Sequence, residues 1–123
     1  HIINNEIISK IDSIENIKIG MCFINILHTS ASVTINENSD STVREDLENH
    51  LNYIIPENAP YYKHTFEGPD DIPAHIKTSL LGNSISIPIK DGKLILGTWQ
   101  GIYLCEHRNN ASQRSIVVTL MGN

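Results

Sequence analysis

Cysteine, tryptophan and basic charge are all scarce in this chain, and each shortage excludes something. Cys22 and Cys105 are the only two cysteines, far apart and in stretches that read as strands, too few for a secreted disulfide framework. Buried free thiols and a reducing, cytoplasmic setting fit them better than a bridge or a nucleophile. The formal net charge of −5 argues against a general binder of nucleic acid or of anionic membranes, since either needs a basic patch. No apolar run is long enough for a membrane span, and no signal peptide is visible. A phosphate-cradling glycine loop, a nucleophile elbow and an HExxH pair are also missing, so serine or cysteine nucleophilic catalysis is unsupported. The chain begins at His1 rather than Met, and a segment ahead of it is expected to be missing.

What is present is one domain's worth of chain, residues 1–123, with the apolar and charged content of an ordinary globular protein. A domain this small gains from oligomerisation. Apolar positions at Ile7, Ile8, Ile11 and Ile14 predict a helix over about residues 4–14. Met21 to Leu27 and Ala31 to Ile35 read as strands, with His28-Thr29-Ser30 at the break between them. Cap-forming residues up to Ser41, then Val43, Leu47, Leu51 and Ile54 on one face, predict a helix that Pro56 ends. Pro73 and Gly82 bracket a shorter helix, Ala74 to Leu81. Ser84 to Ile89, the turn at Asp91-Gly92 and Lys93 to Thr98 read as a hairpin, followed by strands at Ile102 to Cys105 and Ser115 to Leu120. The expected fold is a single α+β domain, mainly antiparallel or mixed sheet with two or three helices.

The polar residues gather in four places. His64 to His75 puts two histidines and three carboxylates into a loop stiffened by Gly68, Pro69 and Pro73, the makings of a metal site or an acid–base pair. A plain polar loop is the competing reading. His28-Thr29-Ser30 offers an imidazole and two hydroxyls, suited either to phosphate or to turn chemistry. Glu37 lies upstream of the helix cap, where capping does not explain it. Glu106-His107-Arg108 ends a strand, and Arg108 with Arg114 suits a phosphate or carboxylate fork unless the loop is merely solvated. Trp99-Gln100, between Gly97 and Gly101, reads either as a packed tryptophan or as a stacking platform whose glutamine recognises a ring edge. The candidate catalytic groups are then His28, Glu37, Asp71, His75 and Glu106. Thr29, Ser30, Lys77, Trp99, Gln100, Arg108 and Arg114 are the candidate substrate or phosphate contacts. His64, His75 and His107 form a candidate three-histidine site for a divalent metal, zinc or magnesium, grouped by residue type alone.

Several segments carry a family resemblance in matching order and spacing. They are His28-Thr29-Ser30-Ala31-Ser32, Asn36-Glu37-Asn38, His64, Glu67 to Lys77, Leu80-Leu81-Gly82, Leu96 to Tyr103, Glu106-His107-Arg108 and Arg114. Together they resemble the YjbQ family, UPF0047, along the whole chain. The resemblance implies an α+β fold, a cytoplasmic homotrimer, and a further strand upstream of His1. It also implies a weak, secondary thiamine-phosphate synthase activity, joining hydroxymethylpyrimidine diphosphate to a thiazole phosphate. A small phosphorylated metabolite would then be the partner, with no nucleic acid and no membrane. The same residues equally suit a trimeric protein that binds a metal or small anion without turnover, or a metal-dependent hydrolase.

Overall fold

A computed structural model of the chain describes residues 1–11 and 13–123. Its elements run α1 (Asn4–Ser9), a 3₁₀ turn (Ile14–Asn16), β1 (Ile19–Ile26), β2 (Ala31–Glu37), α2 (Ser41–Ile54), α3 (Asp71–Leu81), β3 (Ser84–Lys90), β4 (Lys93–Leu94), β5 (Gln100–Glu106) and β6 (Ile116–Gly122). The first helix is thus shorter than expected. The chain passes from α1 to the 3₁₀ turn, and the expected helical residue at position 12 lies outside those described.

Four strands form one sheet in the order β4-β3-β1-β6, and β2 pairs with β5. Every pairing is antiparallel. Alternation in β1 sends Cys22, Ile24 and Ile26 inward, where they meet Ile87 and Ile89 of β3, Val33 of β2 and Ile102 of β5. Ile3, Ile7, Ile14 and Ile17 bring the N-terminal segment onto the same core. Isoleucine dominates this core because its branched side chain suits the pleated surface. The two cysteines are free thiols, Cys22 buried and Cys105 partly so.

Local chemistry explains the joints. Asp40 caps α2, accepting from the Thr42 backbone N–H at 2.9 Å and from its hydroxyl at 2.7 Å. Asp91 and Gly92 take φ of 50° and 75°, the positive values that a two-residue hairpin turn demands. The returning strand is only Lys93–Leu94, shorter than expected: Gln100 Oε1 accepts from the Gly97 N–H at 2.7 Å and folds that stretch into a turn. Pro73 falls inside α3 rather than ahead of it, so Asp71 joins the helix. No described helix is long and apolar enough to cross a membrane.

Ile24 is fully enclosed between the helix-side residues and the two sheets. Ile24→Ala is expected to destabilise the domain by about 2–5 kcal/mol through lost burial and a residual cavity. Urea denaturation should show this as a lower midpoint at an unchanged slope.

Candidate metal centre and the adjoining cleft

Asp71 sits in the first turn of α3 and is 4% exposed. Helical spacing sets His75 one turn above it on the same face. Three side chains then converge on Asp71 from different directions. His64 Nε2 lies 2.7 Å and His75 Nε2 3.1 Å from its Oδ2, while Arg108 Nη1 donates to Oδ1 at 2.6 Å. Burial pushes the Asp71 carboxyl up, but the His64 hydrogen bond and the His75 and Arg108 charges outweigh it and hold the carboxyl below its ordinary value.

His64, Asp71 and His75 each offer one ligand atom, all within 4.8 Å of one another. His75 is held by its other nitrogen: Nδ1 donates to the Thr29 carbonyl at 2.8 Å. That is the arrangement of a ligating histidine whose far nitrogen is tied to a backbone carbonyl. The third histidine of the expected set is elsewhere. His107 Nε2 is hydrogen-bonded to Ser32 Oγ at 2.8 Å, and its ring lines a cleft on another side of α3. The cluster is two imidazoles and a carboxylate.

The two arginines expected to stay open as a phosphate fork are closed on carboxylates. Arg108 donates from Nε to Asp70 at 2.9 Å, from Nη1 to Asp71 and from Nη2 to the Glu67 carbonyl at 3.1 Å. Arg114 grips Glu106 through both Nε and Nη2 and also reaches the Ser30 carbonyl and hydroxyl, at 3.1 and 3.0 Å. Glu106 and Ser30 are therefore structural partners of Arg114. Thr29 contributes only its carbonyl. His28 accepts from the Ser115 N–H at 2.8 Å and ties the end of β1 to the start of β6. Glu37 ends β2, where its carbonyl accepts from the Tyr103 hydroxyl. Trp99 is 62% exposed, which sets aside a core role, and the Gln100 amide is taken up by Gly97 instead of facing a ligand.

The cleft has a volume of about 630 Å³ and lies between α2, α3 and β5. Its walls include Leu47 and Leu51 of α2, Pro73 and Lys77 of α3, and Leu104 and Cys105 of β5. His107 forms part of the lining. Burial, and then the Lys77 charge, push its pKa down to about 4, so the ring is neutral at neutral pH. Arg44, Asn52 and Asp70 had no place among the candidates. Arg44 follows Val43 on α2, but nothing in the sequence says what faces that side of the helix.

Comparison with known proteins follows the fold. The model for the UPF0047 protein YjbQ-like family matches residues 1–123. The chain belongs to the YjbQ-like UPF0047 family. UPF0047 protein YjbQ of Salmonella typhimurium is 48% identical over 99% of this chain and 88% of its own length. A Synechocystis UPF0047 protein is 44% identical over 93% of this chain and 80% of its own. The crystal structure of a YjbQ/UPF0047 family protein from Clostridium acetobutylicum superposes with a TM-score of 0.86 at 36% identity, covering 98% of this chain and 89% of that one. A YbjQ-like protein of unknown function from Sulfolobus solfataricus gives a TM-score of 0.87 at 28% identity, over 100% and 86% of the two chains.

Membership of the YjbQ-like family corrects the activity expected from the sequence. These relatives are described by family or as proteins of unknown function, and none as a thiamine-phosphate synthase. The arginines assigned to that reaction's phosphates are also committed to Asp70, Asp71 and Glu106. Thiamine-phosphate synthesis is withdrawn as the function.

The neutral His107 makes a pH prediction. An unfolded histidine titrates near its ordinary value of 6.5 and the folded one near about 4, so between these values the unfolded chain binds the extra proton. The His107 contribution is fully present above the unfolded value and is lost as pH falls toward the folded one. Urea midpoints at about pH 7 and about pH 4.5 should fall less on acidification in His107→Gln than in the unaltered protein.

Proposed function

We propose that this protein is a metalloprotein in which His64, Asp71 and His75 hold one divalent transition-metal ion. One observation carries the reading. His75 Nδ1–H is committed to the Thr29 carbonyl, so in the neutral ring Nε2 bears a lone pair, and that lone pair faces the Asp71 carboxylate oxygen 3.1 Å away. Two lone pairs at that distance repel unless a proton or a metal ion lies between them, and a second imidazole beside the same oxygen favours the metal ion. His64 Nε2 approaches the same oxygen, so three donor atoms lie within 4.8 Å of one another.

The donor set fits such an ion. Two imidazoles and a carboxylate suit zinc and its neighbours in the first transition series, whereas magnesium prefers oxygen and water. Donors about 3.3 Å apart would match bonds of about 2.0–2.1 Å in a tetrahedron; His75 stands close to that spacing from Asp71 Oδ2, at 3.1 Å, and His64, at 2.7 Å, would move outward to accommodate the ion. Arg108 on Asp71 Oδ1 leaves Oδ2 as the ligating oxygen and fixes its direction. The His64 side chain is 53% exposed, which leaves a face of the site open to water or a small ligand. A metal ion there would polarise a bound oxygen and lower the pKa of a bound water.

Elemental analysis of untagged protein is expected to find about one transition-metal ion per chain, lost in His64→Ala and in His75→Ala. Metal-free wild type that takes up no added zinc at neutral pH would overturn the assignment.

We also propose self-association, through the outer face of the four-stranded sheet. Met21 lies opposite both Met121 and Pro88, and Phe23 and Val117 lie on the same face, turned away from the core. The apolar row of Met121, Met21 and Pro88, with Phe23 and Val117 beside the polar Thr119, Ser86 and Asn25, supports burial against a second copy. Met121→Glu should shift the mass measured by light scattering toward the monomer. A monomeric wild type would defeat the proposal.

A further inference from the structure

The cleft beneath α2 is a site separate from the histidine cluster. On α3 the two are divided by helical geometry: Asp71 and His75 lie on one face, while Pro73 and Lys77, two residues further along from each, point nearly the opposite way. None of His64, Asp71 and His75 lines the cleft.

Its charged groups divide into those with ion-pair partners and those without, and the second set includes the carboxylates of Glu48 and Glu57 as well as cations. Asp70 is paired with Arg108 and Glu106 with Arg114. Lys77 and Arg44 form no ion pair among the described residues. Lys77 is only 9% exposed, and its ammonium donates to a neutral partner, Asn52 Oδ1, at 2.5 Å. Glu48 and Glu57 act on it only at longer range. Arg44 Nη1 is buried and has no hydrogen-bond partner among the described residues. A buried guanidinium N–H without an acceptor is costly, because its hydration is lost and nothing replaces it. The cleft therefore presents two cations, one incompletely partnered and one orphaned, beside the carboxylates of Glu48 and Glu57 and the apolar walls of Leu47 and Leu51.

We infer that this cleft binds the oxyanion group, carboxylate or phosphate, of a small molecule through Arg44 and Lys77. A carboxylate or phosphate oxygen supplies the acceptor that Arg44 Nη1 lacks. Lys77 adds a point charge, and Asn52 fixes the ammonium in place. His107, neutral and anchored by Ser32, adds polar contact without charge. The leucines contact the ligand's carbon skeleton and keep water from screening the charges.

Calorimetric titration at neutral pH and low salt, with inorganic phosphate in one arm and succinate in the other, tests the site. Saturable binding of at least one of these anions is expected, with affinity about tenfold lower or worse in Arg44→Met and in Lys77→Met. Because Lys77 is buried, circular dichroism checks the fold of its variant, and Arg44→Met carries the test alone if Lys77→Met unfolds. Protein stripped of metal with EDTA should keep its affinity within about twofold. No binding of either anion by wild type, affinity unchanged in Arg44→Met, or binding lost on stripping the metal would each overturn the inference. The last outcome would place the anion at the histidine cluster.

Discussion

The Asp71 carboxylate is nearly out of contact with water and would not remain ionised there alone. Arg108 supplies the compensating charge on one oxygen, and the two imidazoles converge on the other. The helix contributes too, since a carboxylate in the first turn faces the positive end of the α3 dipole. Removing Arg108 would uncompensate Asp70 and Asp71 together and release the Glu67 carbonyl, so the loop and the helix start are held by one side chain. The shape of the region from His64 to His75 follows from keeping that buried charge satisfied.

Arg108 also explains why two chemically different sites can lie back to back. Asp70 faces the cleft and Asp71 the histidines, and the guanidinium spans both. With its charge paired to Asp70 and Asp71 and a further N–H on the Glu67 carbonyl, Arg108 offers little to an incoming anion. That function passes to Lys77, whose partner Asn52 is neutral, and to Arg44, whose Nη1 has no partner. Of the basic groups near α3, the two arginines that follow β5 are thus spent on structure.

Sequence patterns reached the fold well because its signals are local. Alternation in Ser84 to Ile89, the Asp91-Gly92 turn, and the apolar face of residues 41–54 each depend on a few neighbouring residues, and each element is present. The failures are where a distant or competing contact decided. Lys93 to Thr98 has strand-like residues, yet the Gln100 side chain bends it at Gly97. At the site, His64, Asp71 and His75 were visible as chemistry within one loop and helix start. The expected grouping of His107 with His64 and His75 fails on direction: residue type cannot say that Ser32 holds that ring in the cleft. Nor can it say that Arg108 meets an aspartate 37 residues upstream, which decides whether an arginine is free for a ligand.

The net charge of −5 treats the two sites differently. A divalent cation approaching the exposed His64 edge would be drawn in by the overall field, so the proposed capture at the cluster would need no dedicated channel. An anion approaches against that field, and only contacts made inside the cleft can reverse the balance. Leu47 and Leu51 matter for this reason: apolar walls lower the local dielectric and make a buried ammonium and guanidinium more effective than the same charges at the surface. Salt moderates both effects, but it screens long-range repulsion outside the cleft more completely than short contacts within it. Selection for a well-fitted anion over bulk chloride or phosphate then rests on how well its carbon skeleton fills the space between α2 and β5. The charge of Lys77 and Arg44 recognises the class of ligand, and the leucine walls choose the member.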